Sequence, residues 1–282
     1  MANVDKDIQE EIETGEELSF WDHLEELRWS LMRIVGVLLV CVIGTFIAMP
    51  HIFDPFILGP TRGDFFLYEW FAMLGKASIF KPDFHVDIIN INVASQFMTH
   101  ISTSLWMALV ITFPYFIYEI WKFIRPALFP EELKNIRTAF MSGTFMFFLG
   151  CTVGYCLVFP FTFRFLTEYQ ISPEITNQIN LGSYINNFIM MIFVMGLVFE
   201  MPLLAWVLSK LGLITKEFLR EYKKHAIVVL LVLAAVITPS GDPFTLSVVF
   251  LPLYLLYELS IKVVQSAPVE EEEEVEEETA EM

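Results

Sequence analysis

The chain has 282 residues, of which 55% are hydrophobic and 18% charged, with a formal net charge of −17. So large an apolar share, gathered into long blocks, exceeds what a water-soluble domain buries and excludes a soluble fold. Nor does the charge point to a basic partner, because it sits at the two ends: residues 1–28 carry ten acids and two bases, residues 266–282 carry nine acids and no base, and the stretch between is balanced.

The N-terminus has no basic n-region and no short apolar h-region, so it does not read as a removable signal peptide. Residues 1–28 read as an acidic N-terminal segment. An apolar run of about 20 residues, rising 1.5 Å per residue, crosses a hydrocarbon core roughly 30 Å thick. Runs at 29–49, 95–121, 139–161 and 184–208 meet that length. Between the first two, residues 50–93 mix Pro, Gly and aromatics, which predicts a cap of short helices packed on the bundle. A fifth run, 224–238, is short, with its apolar stretch confined to 226–237, and a sixth, 244–264, holds Pro252, which is expected to kink it. Residues 266–282 are too charged to offset their ordering entropy and read as a disordered tail.

Backbone groups inside lipid must be bonded internally, so these lengths predict an all-α integral membrane domain of six helices over 29–265. Cytoplasmic flanks collect Lys and Arg. An even number of spans puts the N-terminal stretch, 122–137, 210–224 and the C-terminus on one side with thirteen of the 17 bases, and leaves Arg62, Lys76, Lys81 and Arg164 on the other. Both termini are therefore expected in the cytoplasm.

Two groups of residues are not explained by spanning alone. Glu200 lies in Phe199-Glu200-Met201-Pro202 within the fourth run, and an intramembrane acid needs a partner or a function. Asp22, Glu25, Glu26 and Arg28 precede the first run, and Glu131 and Glu132 follow the second. Carboxylates gain nothing from an anionic membrane surface, whereas they suit guanidinium groups, which bond them through two parallel hydrogen bonds. Other chemistry lacks its residues. There is no phosphate-binding G-x-x-x-x-G-K-[ST] loop, no H-E-x-x-H or paired-Cys metal motif, and no His in the layers of Ser142, Ser183 and Ser247. Bases are too dispersed for nucleic acid. Cys41, Cys151 and Cys156 fall in apolar runs and read as core packing.

The stretch Phe20-Trp21-Asp22-His23-Leu24-Glu25-Glu26-Leu27-Arg28 resembles the H-L-x-E-L-R element before the first span of the TatC family, the receptor subunits of the twin-arginine translocase. The run from Trp121 through Phe123, Pro126, Leu128 and Glu132 is similar to that family's W-x-F-x-x-P-x-L-x-x-x-E. Phe148-Leu149-Gly150 with Tyr155 and Phe159-Pro160, then Gly196 with Phe199-Glu200-Met201-Pro202, then Thr238-Pro239 with Asp242-Pro243, and finally Leu251-Pro252-Leu253-Tyr254 with Tyr257-Glu258, continue the likeness in order. Ser30 stands where the family often has a second basic residue.

By that resemblance the fold is a concave six-helix bundle in the bacterial cytoplasmic (inner) membrane, without cofactor, metal or enzymatic activity. Glu26 and Glu132, with Phe123 and Arg28, would bind twin-arginine signal peptides of folded substrates, with export driven by the protonmotive force. Glu200 and Thr238 would be polar features of the intramembrane face that engages the single-span partners TatA and TatB, self-association is implied, and Asp242 would cap a helix. The alternative from the residues alone is a secondary transporter or channel that uses Glu200 as a proton or ion site.

Overall fold

The computed structural model describes residues 20–68, 84–124, 136–172, 174, 177–238 and 240–264. Helix α1 (Phe20–Ile52) starts well upstream of the run at 29–49, so residues 20–28 of the acidic segment are helical and continuous with the membrane helix. A π turn (Phe53–Ile57) and a 3-10 turn (Gly59–Thr61) follow. After β1 (Ile88–Ile89) come α2 (Ser95–Ile124) and α3 (Ile136–Val153), which passes through a second π turn (Gly154–Val158) into α4 (Phe159–Glu168). Next are β2 (Ile179–Asn180), α5 (Leu181–Val198) and α6 (Met201–Lys210), then α7 (Lys216–Glu221), α8 (Lys223–Ile237) and α9 (Pro243–Val263).

Among the described residues, five stretches are long and apolar enough to cross a membrane: Leu24–Thr61, Ser95–Phe123, Phe140–Glu168, Leu181–Lys210 and Pro243–Val263. Helix α8 has 15 residues, about 22 Å at 1.5 Å per residue and short of a full hydrocarbon core.

The runs at 139–161 and 184–208, expected to be continuous, are each interrupted just before a proline. The π turn at Gly154–Val158 precedes Pro160, and the turn at Phe199 and Glu200 precedes Pro202. Proline has no amide hydrogen to close the ladder, and its ring crowds the carbonyl four residues back. The sequence pattern marked only Pro252 as a disturbance. Pro50, Pro114 and Pro252 lie inside α1, α2 and α9, and the helix continues through each of them.

Lipid tails are as apolar as Leu, so helices associate through close packing and hydrogen bonds rather than by hiding apolar surface. Helices α3 and α5 use close packing. A Cβ at Gly150 would lie 2.6 Å from the Met195 carbonyl oxygen, and one at Gly196 would lie 2.6 Å from Cys151 Sγ. Helices α1 and α2 are tied by polar groups: Thr45 Oγ1 donates to the Ser104 carbonyl at 2.8 Å, and His100 Nε2 lies 2.9 Å from the Phe46 carbonyl, its ring stacked on Phe46.

The connection after α1 does pack on the bundle as a cap over its described part, with Ile57, Phe65, Leu67 and Tyr68 buried. Tyr155 and Tyr184 donate to the carbonyls of Phe56 and Ile57, and Tyr68 donates to that of Pro60. A feature the apolar pattern did not suggest is the short parallel ladder of β1 with β2, pairing Ile88 with Ile179 and Ile89 with Asn180. It fastens the cap beside the start of α5.

Substituting Gly150→Leu is expected to lower the thermal midpoint in detergent, because the side chain must displace Met195 and Phe199 at about 1–3 kcal/mol. Gly36→Ala, where no atom lies within 4 Å, is expected to be neutral or slightly stabilising. Equal midpoints for Gly150→Leu and the parent protein would show that α3 and α5 are not tightly packed.

Candidate functional site

Helices α1 and α2 run antiparallel, with Arg33 opposite Glu119 towards one end and Phe46 opposite His100 towards the other. Arg33 Nε donates to Glu119 Oε1 at 2.9 Å and Nη2 donates to Oε2 at 2.8 Å, a two-pronged, charge-assisted contact. Nη2 also donates to Ser30 Oγ at 2.8 Å, and the Tyr115 hydroxyl donates to Glu119 Oε1 at 2.7 Å. The Glu119 side chain is 3% exposed and that of Arg33 39%. Glu119 is thus a second intramembrane acid beside Glu200, one that the motifs of the sequence do not single out. A signal was present: an acid in the second apolar run and a base in the first, each set back a similar distance from the same end.

On α1, Glu26, Ser30 and Arg33 are spaced i, i+4, i+7 and share one face; on α2, Tyr115, Glu119 and Phe123 are spaced i, i+4, i+8 and do the same. Because Arg33 meets Glu119, both faces turn to the same seam. Glu26 and Phe123, both half-buried, therefore continue the seam to its end. Arg28 is exposed on another side of α1, 3.4 Å from Glu25, with its guanidinium over the Trp29 ring. Glu131 and Glu132 lie outside the described residues, in the connection that leaves α2 at this end and returns as α3. A carboxylate and an aromatic ring on the two facing stripes at the end of a helix seam offer a guanidinium hydrogen-bond acceptors and a cation–π face.

The other sequence-derived residues lie elsewhere. Glu200 is in the turn that Pro202 enforces between α5 and α6, and it is 6% exposed. Its Oε2 faces α3, where a Cβ at Gly143 would approach to 3.2 Å, and its Oε1 has no hydrogen-bond partner among the described residues. Thr238 is buried at the end of α8, its hydroxyl 3.4 Å from the Ala235 carbonyl oxygen. No hydrogen bond joins Glu200 to Thr238 among the described residues. Asp242 caps α9: Oδ1 accepts from the amides of Phe244 and Thr245 at 3.0 and 2.9 Å, and Oδ2 accepts from the hydroxyls of Ser240 and Thr245. Burial pushes the Asp242 carboxyl up, but these hydrogen bonds outweigh it and hold the group below its usual range.

Membrane-length helices joined by polar seams, breaks that keep Glu200 buried and a tethered cap define a multi-pass helical membrane protein. Residues 22–252 match the family model described as Sec-independent protein translocase protein (TatC), and the chain belongs to that family. It is thus a Tat translocase subunit, a transmembrane protein of protein transport. The chain is 38% identical over 253 residues to the Sec-independent protein translocase protein TatC of Blattabacterium sp. subsp. Periplaneta americana, covering 87% of this chain and 94% of that one. It is 31% identical over 241 residues to the TatC of Deinococcus radiodurans, covering 86% and 83%. Among solved structures, a crystal structure of the twin-arginine translocase receptor TatC aligns with a TM-score of 0.69 at 27% identity, covering 86% of this chain and 97% of that one.

A carboxyl held below its unfolded value contributes stability that is present above about pH 4 and lost as the pH falls through the folded value. Thermal stability of the α8–α9 turn is therefore expected to be flat from neutral pH down to about 5 and to fall below about 4. Asp242→Ala should cost about 1 kcal/mol at neutral pH and flatten the acid limb. Thermal melts of the two proteins against pH check both statements.

Proposed function

We propose that the chain is the receptor and core subunit of the twin-arginine translocase, binding the consecutive arginines of a signal peptide at its cytoplasmic face through Glu26 and Glu132, beside Phe123, with Arg28 at the rim. The observation that carries this reading is the seam end, where Glu26 shares a face with Arg33 and meets the stripe of α2 that ends in Phe123. The connection bearing Glu132 departs from the same end.

The distribution of Lys and Arg supports a cytoplasmic location for that end and for both termini. With α8 counted as a short span that thins the bilayer beside it, the bundle has six crossings in the bacterial inner membrane. Glu200 and Thr238, with the exposed apolar faces of α8 and α9, are read as contacts for the single-span subunits TatA and TatB and for a second receptor copy, with transport driven by the protonmotive force. The alternative, an ion path through Glu200, is favoured by one observation, the Oε1 that has no hydrogen-bond partner among the described residues. Proton flux through proteoliposomes holding this chain alone would support it, and silence would dismiss it.

Lysine is a point charge without the two-pronged fork of arginine. Replacing both signal arginines by lysine is therefore expected to weaken binding of a labelled signal peptide to the nanodisc-embedded chain about tenfold or more. Glu26→Gln and Glu132→Gln should each lower the affinity for the arginine peptide and narrow that preference. A parent protein that binds both peptides equally would overturn the proposal.

A further inference from the structure

We propose that the Arg33–Glu119 ion pair, closed by Ser30 and Tyr115, is a positioning clamp: it sets the placement of Glu26 relative to the end of α2, and so the preference of this surface for guanidinium over ammonium ligands. The second half of the statement rests on the guanidinium reading given above.

Glu26 stands seven residues before Arg33 on the same face of α1, about 10 Å along the helix axis. From the helix end inward, Ser30 is the first buried side chain of α1 among those described, while Leu24, Leu27 and Trp29 are exposed. The end of α1 is therefore a lever whose direction is fixed where Ser30 and Arg33 are held. A tilt of about 10° at the clamp would move Glu26 by about 2 Å over that length. On α2, Phe123 follows Glu119 by one turn and moves with it.

Two parallel bonds between a planar guanidinium and a carboxylate define a plane as well as a distance, so they restrain both helices against rotation about their axes. The Tyr115 hydroxyl on Oε1 and the Ser30 hydroxyl under Nη2 fix the two groups from the outside. Such rigidity exceeds what simple adhesion requires, since Thr45 with Ser104 and His100 with Phe46 already join α1 to α2 further along. Forked recognition of an arginine tolerates little displacement of the receiving oxygens, whereas an ammonium forms its contacts over a wider range of positions. Loosening the clamp should therefore cost arginine ligands more than lysine ligands. A pair that served stability alone would leave that ratio unchanged.

The experiment uses the full chain in nanodiscs. Arg33→Met with Glu119→Leu replaces the ions by apolar side chains of similar volume, an exchange that buried pairs commonly tolerate. Ser30→Ala with Tyr115→Phe is the milder variant, removing the closing hydroxyls while keeping both charges. Two readouts are taken: affinity for an arginine-pair and a lysine-pair signal peptide, and the distance across the seam end between spin labels at Leu27→Cys and Lys122→Cys, with Cys41, Cys151 and Cys156 replaced by Ala.

The apolar pair is expected to broaden the distance distribution and to weaken arginine-peptide binding about tenfold, with lysine-peptide binding changed less than about twofold. The hydroxyl variant should move both readouts the same way, by about threefold in affinity. An unchanged distance distribution and an unchanged arginine-to-lysine ratio in a folded variant would overturn the clamp. If the parent protein itself shows no arginine preference, the guanidinium reading fails instead, and the distance distribution alone decides whether the clamp sets the spacing.

Discussion

Hydrocarbon gives two apolar helices no reason to prefer each other over lipid, so every contact in this bundle has to be made by close approach or by a hydrogen bond. Helices α3 and α5 take the first route. Gly150 and Gly196 remove the side chains that would hold the backbones apart, and Phe147, Cys151, Met195 and Phe199 fill the space around them. Helices α1 and α2 take the second. Thr45 and His100 bond carbonyls of the facing helix in one half of the seam, and Arg33 grips Glu119 in the other. Because α5 follows directly on β2 and leads into Glu200, these two helix pairs position the ladder of the cap and the buried acid as well as Arg33 and Glu119.

Breaks in the helices obey the same rule. A backbone carbonyl released inside a membrane protein must find another donor. Where α1 loosens into a π turn, the carbonyls of Phe56 and Ile57 receive the hydroxyls of Tyr155 and Tyr184. Bonds that satisfy the loosened turn thereby also fasten the cap to the second π turn and to α5. Where Pro202 interrupts the fourth run, the Glu200 carbonyl accepts from the Leu204 amide, yet one carboxyl oxygen of the side chain has no donor among the described residues. The described part of the cap thus satisfies the carbonyls of its own loosened turn, while Glu200 keeps one carboxyl oxygen without a hydrogen-bond partner among the described residues, at a position the proposed function assigns to partner contact.

At the opposite end the arrangement is open. Glu26 and Phe123 are half-buried where the seam runs out, and the Arg33 fork behind them displays, inside one chain, the chemistry that a guanidinium ligand would use at the surface. The carboxylate of Glu119 is bonded by Arg33 and Tyr115, whereas no such bond engages Glu26, on the same face of the seam, among the described residues.

Apolar run length by itself determined that the chain is a helical membrane protein and where most of its helices lie, since about 20 apolar residues have few other fates in a cell. Asp242 was legible as a cap because an Asp before Pro at a helix start has one obvious donor set to satisfy. The order of short motifs was enough to identify the family. What the sequence did not yield was anything that depends on two distant residues meeting. Arg33 and Glu119 are 86 positions apart, and an acid in one run looks unpaired until the antiparallel register of α1 and α2 is known. The breaks at Glu200 and at Gly154–Val158 were likewise hidden, because Pro50, Pro114 and Pro252 sit within helices while Pro160 and Pro202 follow interruptions, and the surrounding packing selects which outcome occurs. Composition decided the solvent and the helices; only the tertiary structure decided which polar groups are spent on one another and which remain to meet a partner.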